Sequence, residues 1–139
     1  MKKTLLSSLL LSLFLISCGG DSANELKKYE GTWNAKLVTV LNGDQDSKTE
    51  LTTQVKIKAG TNILYIIEQP FKVNGNIIEI PKTTTKNTMN GITMEVAISA
   101  KGTLSDKKID IQEDIHTKST DADGQVTEMN QTVLIVLTR

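Results

Sequence analysis

The chain has 139 residues, with 16 basic side chains against 16 acidic ones and 38% hydrophobic residues. That length suits one domain with a modest core, and the evenly mixed charge gives no electrostatic reason to expect a nucleic acid partner. A single cysteine excludes an internal disulfide framework.

Lys2 and Lys3 open the chain, and an apolar run rich in Leu follows from Thr4 to Ile16. The run falls well short of the roughly 20 residues that span a bilayer, and so reads as the apolar part of a signal peptide. It ends in Leu15-Ile16-Ser17-Cys18. An aliphatic residue three before the Cys and a small one directly before it resemble the bacterial lipobox. The resemblance implies cleavage after Ser17 and a diacylglycerol thioether on Cys18, with fatty acyl chains such as palmitate. Each buried methylene contributes about 0.8 kcal/mol, so two or three chains on one residue anchor a protein without a membrane-spanning helix. The expected address is the cell envelope, and Gly19 after the Cys favours the outer membrane by resemblance to enterobacterial sorting. The mature chain then keeps no thiol, hence no zinc-thiolate site and no Cys nucleophile. Residues 1–17 are thus expected to be signal, 18–30 lipidated Cys and tether, and 31–139 the folded domain. Within the tether, ELKKY forms at most one helical turn.

From Gly31 on, alternation is broken by turn dipeptides, as in antiparallel β-structure. Trp33 to Leu41 is the first strand, and NGDQD, 42–46, turns the chain. Leu51, Thr53, Val55 and Ile57 share one face of the next strand. AGTN, 59–62, turns again, and ILYIIE, 63–68, is a short apolar strand. Asn74-Gly75 is a hairpin signal. As a two-residue loop it sets Val73 opposite Asn76, Phe71 opposite Ile78 and Gln69 opposite Ile80. Phe71, Val73, Ile78 and Ile80 then share a face. Asn90-Gly91 repeats the signal and sets Met89 opposite Ile92, Asn87 opposite Met94 and Thr85 opposite Val96. The polar run KTTTKNTM predicts either an edge strand or a partly wet face. Leu104 starts a short piece, SDKK turns it, and Ile109, Ile111 and Ile115 alternate with acidic residues. TDADGQ, 120–125, is a turn. TVLIVLT is apolar on both faces, which predicts a strand covered on each side or one that closes a barrel. The total is about eight to ten strands in an antiparallel meander.

YEGTW, 29–33, resembles the Gly-x-Trp motif that opens lipocalin and avidin-type barrels. The resemblance implies a small up-and-down barrel with one open mouth. Gly31 would bend the chain into it, Trp33 would plug one end, and Arg139 would pack across the indole. The paired lipocalin cysteines and avidin's ring of aromatics are absent. The alternative is a β-sandwich in which Trp33 is the largest core side chain.

Chemistry-bearing patterns are sparse. His116 is the only histidine, on a polar strand, and no metal-ligand set surrounds it in sequence. Asp121-Ala122-Asp123-Gly124 fails the spacing of a calcium loop and reads as a turn. Glu113 and Asp114 point to opposite faces of a strand, so they form no acid–base couple. Neither an enzyme nor a cofactor is expected. Two functions stay open. One is a small apolar ligand held by inward Trp33, Val55, Phe71, Ile78 and Val96. The other is an envelope protein-interaction or inhibitor module with a solid core and an exposed edge.

Overall fold

The computed structural model describes residues 25–139. Eight strands run in chain order: β1 (Gly31–Leu41), β2 (Asp44–Gly60), β3 (Ile63–Ile66), β4 (Gln69–Asn74), β5 (Ile77–Met89), β6 (Ile92–Leu104), β7 (Lys108–Thr120) and β8 (Val126–Thr138). Each pairs antiparallel with the next, and β8 returns to β1, so the meander closes into a barrel. The sandwich alternative is excluded by that closure. β8, apolar on both faces, is the strand that closes the ring; its outward Leu134 stays 42% exposed, so among the described residues no second layer covers it.

Alternation decides which side chains fill the barrel. Trp33 and Ala35, Ile57, Leu64 and Ile66, Phe71, Ile78, Ala100 and Leu104, Ile109 and Ile111, and Val133, Ile135 and Leu137 point inward and form one core. Of these, Trp33, Leu64, Ile78, Ile109 and Leu137 are fully enclosed. Gly102 lies inward too, where a Cβ would stand 2.4 Å from the Asp110 carbonyl oxygen, so glycine is what lets β6 and β7 approach.

Several boundaries differ from the sequence expectation. Asn42 (φ 50°) and Gly43 (φ 70°) alone turn the chain, so β2 begins at Asp44 and the expected turn 42–46 shrinks to two residues. Leu104 ends β6 rather than starting a new piece. The loop between β4 and β5 is Gly75-Asn76, not Asn74-Gly75, with Asn74 opposite Ile77 and Val73 opposite Ile78. Gly75 takes the positive φ of 61° at the first loop position, as a II′ turn requires. Each partner moves by two residues, an even number, so the inward face keeps its members. The Asn90-Gly91 hairpin has the expected register.

The expected strand 63–68 stops at Ile66. Ile67 (φ 51°) and Glu68 (φ 64°) form the turn into β4, with Ile66 opposite Gln69. A β-branched residue at positive φ is sterically strained. Turn propensity does not explain it; the short β3–β4 hairpin has to reverse there to complete the ring.

The packed body starts earlier than the expected boundary at Gly31. Residues 25–27 make one helical turn, and Leu26 and Tyr29 are buried in the core. The Trp33 indole N–H donates to the Tyr29 carbonyl at 2.8 Å. The Arg139 guanidinium lies 4.7 Å from the centre of the Trp33 ring and donates to the carbonyls of Glu30 and Lys28. Gly31 has φ 118°, open only to glycine without strain, and so carries the bend from helical turn into strand. This end of the barrel is shut.

The other end is split. β3 and β4 are short, so β2 meets β3 only over Ile57–Gly60, and β5 meets β4 only over Ile77–Glu79. Above those pairings the sheet is open, in the order β2-β1-β8-β7-β6-β5. Among the described residues, 44–56 of β2 and 80–89 of β5 pair on one side alone. The polar run of β5 is thus an edge strand. Continuing the β4–β5 register would set Pro70 opposite Pro81, the two prolines of the chain. Neither has an N–H to donate, and β5 bulges between Ile80 and Thr83, so the ladder ends there.

Candidate functional site

Above the solid floor the barrel keeps a cavity of about 250 Å³. Its apolar walls come from Leu37 of β1, Ile66 at the end of β3, Ile67 in the turn after it, Phe71 of β4, and Val133 and Ile135 of β8. Its polar lining is Thr39, Gln69, Gln131 and Glu113. The register explains the meeting. Glu113 of β7 stands opposite Val133 of β8, and Val133 opposite Thr39 of β1, so the three occupy one inward row. Gln69 faces them from the start of β4, beside the strained turn. The notch between the edges of β2 and β5 lies above that turn, where Ile67 is 43% exposed and forms part of the cavity wall.

Glu113 is the buried charged residue of the described chain, 8% exposed. Its Oε1 accepts one long hydrogen bond, 3.5 Å, from the Gln69 amide. No salt bridge reaches it among the described residues. Sequence reading placed Glu113 and Asp114 on opposite faces but did not count Glu113 with the inward series. The signal was there: Ile109, Ile111 and Ile115 leave one position of that face, and Glu113 fills it.

The residues expected to hold a ligand separate in space. Phe71 lines the cavity. Trp33 and Ile78 are sealed in the floor beneath it. Val55, opposite Trp33 on β2, and Val96, opposite Thr85 on β6, are half-buried and do not line it. The lipidation expected at Cys18 lies outside the described residues.

A larger, broad groove of about 860 Å³ crosses β5–β8. Outward side chains line it, among them Glu79, Lys82, Lys101, Asp110 and Asp114 beside Leu134 and Val136. That groove lies on the outer face of the sheet, between opposed charges; the smaller cavity is set inside the barrel, where inward apolar side chains meet a few convergent polar groups, as in small-ligand sites. His116 is on β7, its Nδ1 2.7 Å from the Asn130 Oδ1. Asp121 works within its own turn, its Oδ1 accepting from the Asp123 and Gln125 N–H groups. Among the described residues no three His, Cys, Asp or Glu side chains converge as a metal site would require, and no helix is long and apolar enough to cross a membrane.

No family model and no curated protein matches the chain. A crystal structure from Nostoc punctiforme PCC 73102, of a DUF3598-family protein with unknown function, is similar at 16% identity and a TM-score of 0.36. The match covers 82% of this chain and 48% of that one, so the chain spans about half its length.

Proposed function

We propose that this is a cell-envelope protein, anchored through lipid on Cys18, whose barrel binds a small apolar ligand rather than catalysing a reaction. The observation that carries the binding half is the cavity above the Trp33 floor, with apolar walls on several strands and an approach through the notch between β2 and β5. A solid interior would have favoured the interaction module. The anchoring half, and an outer-membrane address, rest on the lipobox-like Leu15–Cys18.

Titration calorimetry with decanol, a neutral apolar probe, tests the binding. Saturable uptake is expected, and Leu37→Trp, which fills the cavity from the β1 wall, should abolish it while the fold persists by circular dichroism. No uptake by the wild-type protein overturns the reading. Detergent-phase partitioning tests the anchor: Cys18→Ser should move the protein to the aqueous phase and leave the signal uncleaved.

The two sheet edges favour a second reading. Unpaired N–H and C=O groups on 44–56 and 80–89 are a template for strand addition by an envelope partner. Beside them the inward face carries the exposed side chains of Leu51, Met89, Ile92, Met94 and Met129.

A further inference from the structure

Glu113 is an odd residue for an apolar cavity. A carboxylate taken out of water needs a cation or several hydrogen bonds, or it destabilises the fold. Glu113 is 8% exposed, and its one side-chain hydrogen bond among the described residues is the 3.5 Å approach of the Gln69 amide. Among the described residues no lysine pairs with it: the ion pairs of Lys28, Lys36, Lys48, Lys108 and Lys118 are all made with other, exposed carboxylates. Its Oε2 has no hydrogen-bond partner among the described residues, but it is not sealed off either, since no side-chain oxygen is both buried and unpartnered. Glu113 is also one of the residues that line the cavity. Thr39 and Gln131 add hydrogen-bonding groups to the same lining, while Leu37, Ile66 and Phe71 supply the walls.

We infer that the cavity selects ligands with an apolar body and a cationic or hydrogen-bond-donating head, a protonated amine above all, and that Glu113 receives the head. This deepens the binding reading and rests on it. An ammonium would supply the charge and the donors that Glu113 lacks, forming a charge-assisted hydrogen bond in a low-dielectric site. A carboxylate head of the same chain length would meet Glu113 as a like charge.

The experiment compares decylamine, decanol and decanoate, one chain with three heads, by calorimetry on the wild-type protein and on Glu113→Gln. A charged hydrogen bond of this kind corresponds to roughly a tenfold to hundredfold preference for the amine over the alcohol. The acid is expected to bind weakest. Glu113→Gln keeps the size of the side chain but removes its charge; whatever it does to binding of the alcohol, it should bring the ratio of decylamine to decanol affinity from about tenfold or more down to near one. If decanol binds and the three heads rank equally, or the amine's preference survives Glu113→Gln, the inference is overturned and the apolar-binding reading stands. If no probe binds the wild-type protein, both fall. The ranking on the wild-type protein needs no variant, so the proposal stays testable if Glu113→Gln is poorly folded.

Discussion

Trp33 shows how one side chain is held from several sides. Its ring is fully buried, its N–H is satisfied by the Tyr29 carbonyl, Tyr29 stacks at 6.4 Å and 30°, and Arg139 covers the indole. Truncation of such a residue to Ala costs about 3–5 kcal/mol. Loss of the cation over its face costs about 1 kcal/mol. Urea unfolding followed by circular dichroism, which does not depend on the indole, should therefore rank Trp33→Ala far below Arg139→Ala, with the double variant less than additive because the groups touch. As the sole Trp, Trp33 should emit at shorter wavelength in the native state than in urea. Gly102 is a second tight point. Gly102→Ala should destabilise by roughly 1–3 kcal/mol, since the new Cβ meets backbone that cannot swing away. Ile67 is the reverse case. Replacing Ile67-Glu68 with Asn-Gly, the pair suited to positive φ at both positions, should stabilise the protein by about 1–2 kcal/mol in the same assay.

At the scale of elements, long strands meet a short hairpin. β2 and β5–β8 run 13 residues or more, whereas β3 has four and β4 six. The mismatch opens the notch, and Pro70 with Pro81 keeps it from zipping shut. Replacing both prolines with Thr should let the β4–β5 ladder extend. Amide exchange around residues 79–83 would then slow, and decanol would enter the cavity more slowly; unchanged exchange would show that the prolines do not set the ladder's end. The exposed edges carry charged side chains, which oppose indiscriminate edge-to-edge pairing and leave addition to a strand of matching charge. Lys82 and Lys86 mark β5, and β2 carries Lys48 and Glu50. Hydrogen bonds from Lys48 and then Lys36 hold the Glu50 carboxyl below its usual range. Its folded value is depressed, so the pair's support is present above the ordinary carboxylate range and fades as acid brings the pH through the folded value. These side chains are exposed on the surface, so the effect is small and weakens with salt.

For the whole molecule, the closed end determines where the folded unit begins. Leu26 and Tyr29 cap the core from outside the strands, and Lys28 pairs with Asp106 at 3.0 Å. Burying each of the two apolar side chains stabilises by about 1.5–3 kcal/mol. A chain starting at residue 25 should fold; one starting at Gly31 should be several kcal/mol weaker in urea, with red-shifted Trp33 emission. The all-β class, the faces of most strands and the Asn90-Gly91 register were legible in the sequence, because side-chain alternation and turn chemistry are local. The inward face of β4 and β5 was legible even though their loop was displaced, since an even slip preserves parity. Three things were decided only in three dimensions. Ring closure turned Ile67-Glu68 against its own propensity. The unequal strand lengths split one end, which follows from which strands become neighbours and how far each pairing runs. And Glu113, one acidic residue among several in sequence, became a buried carboxylate because the β7–β8–β1 register carried its position inside, where water is scarce and its nearest partner is an amide.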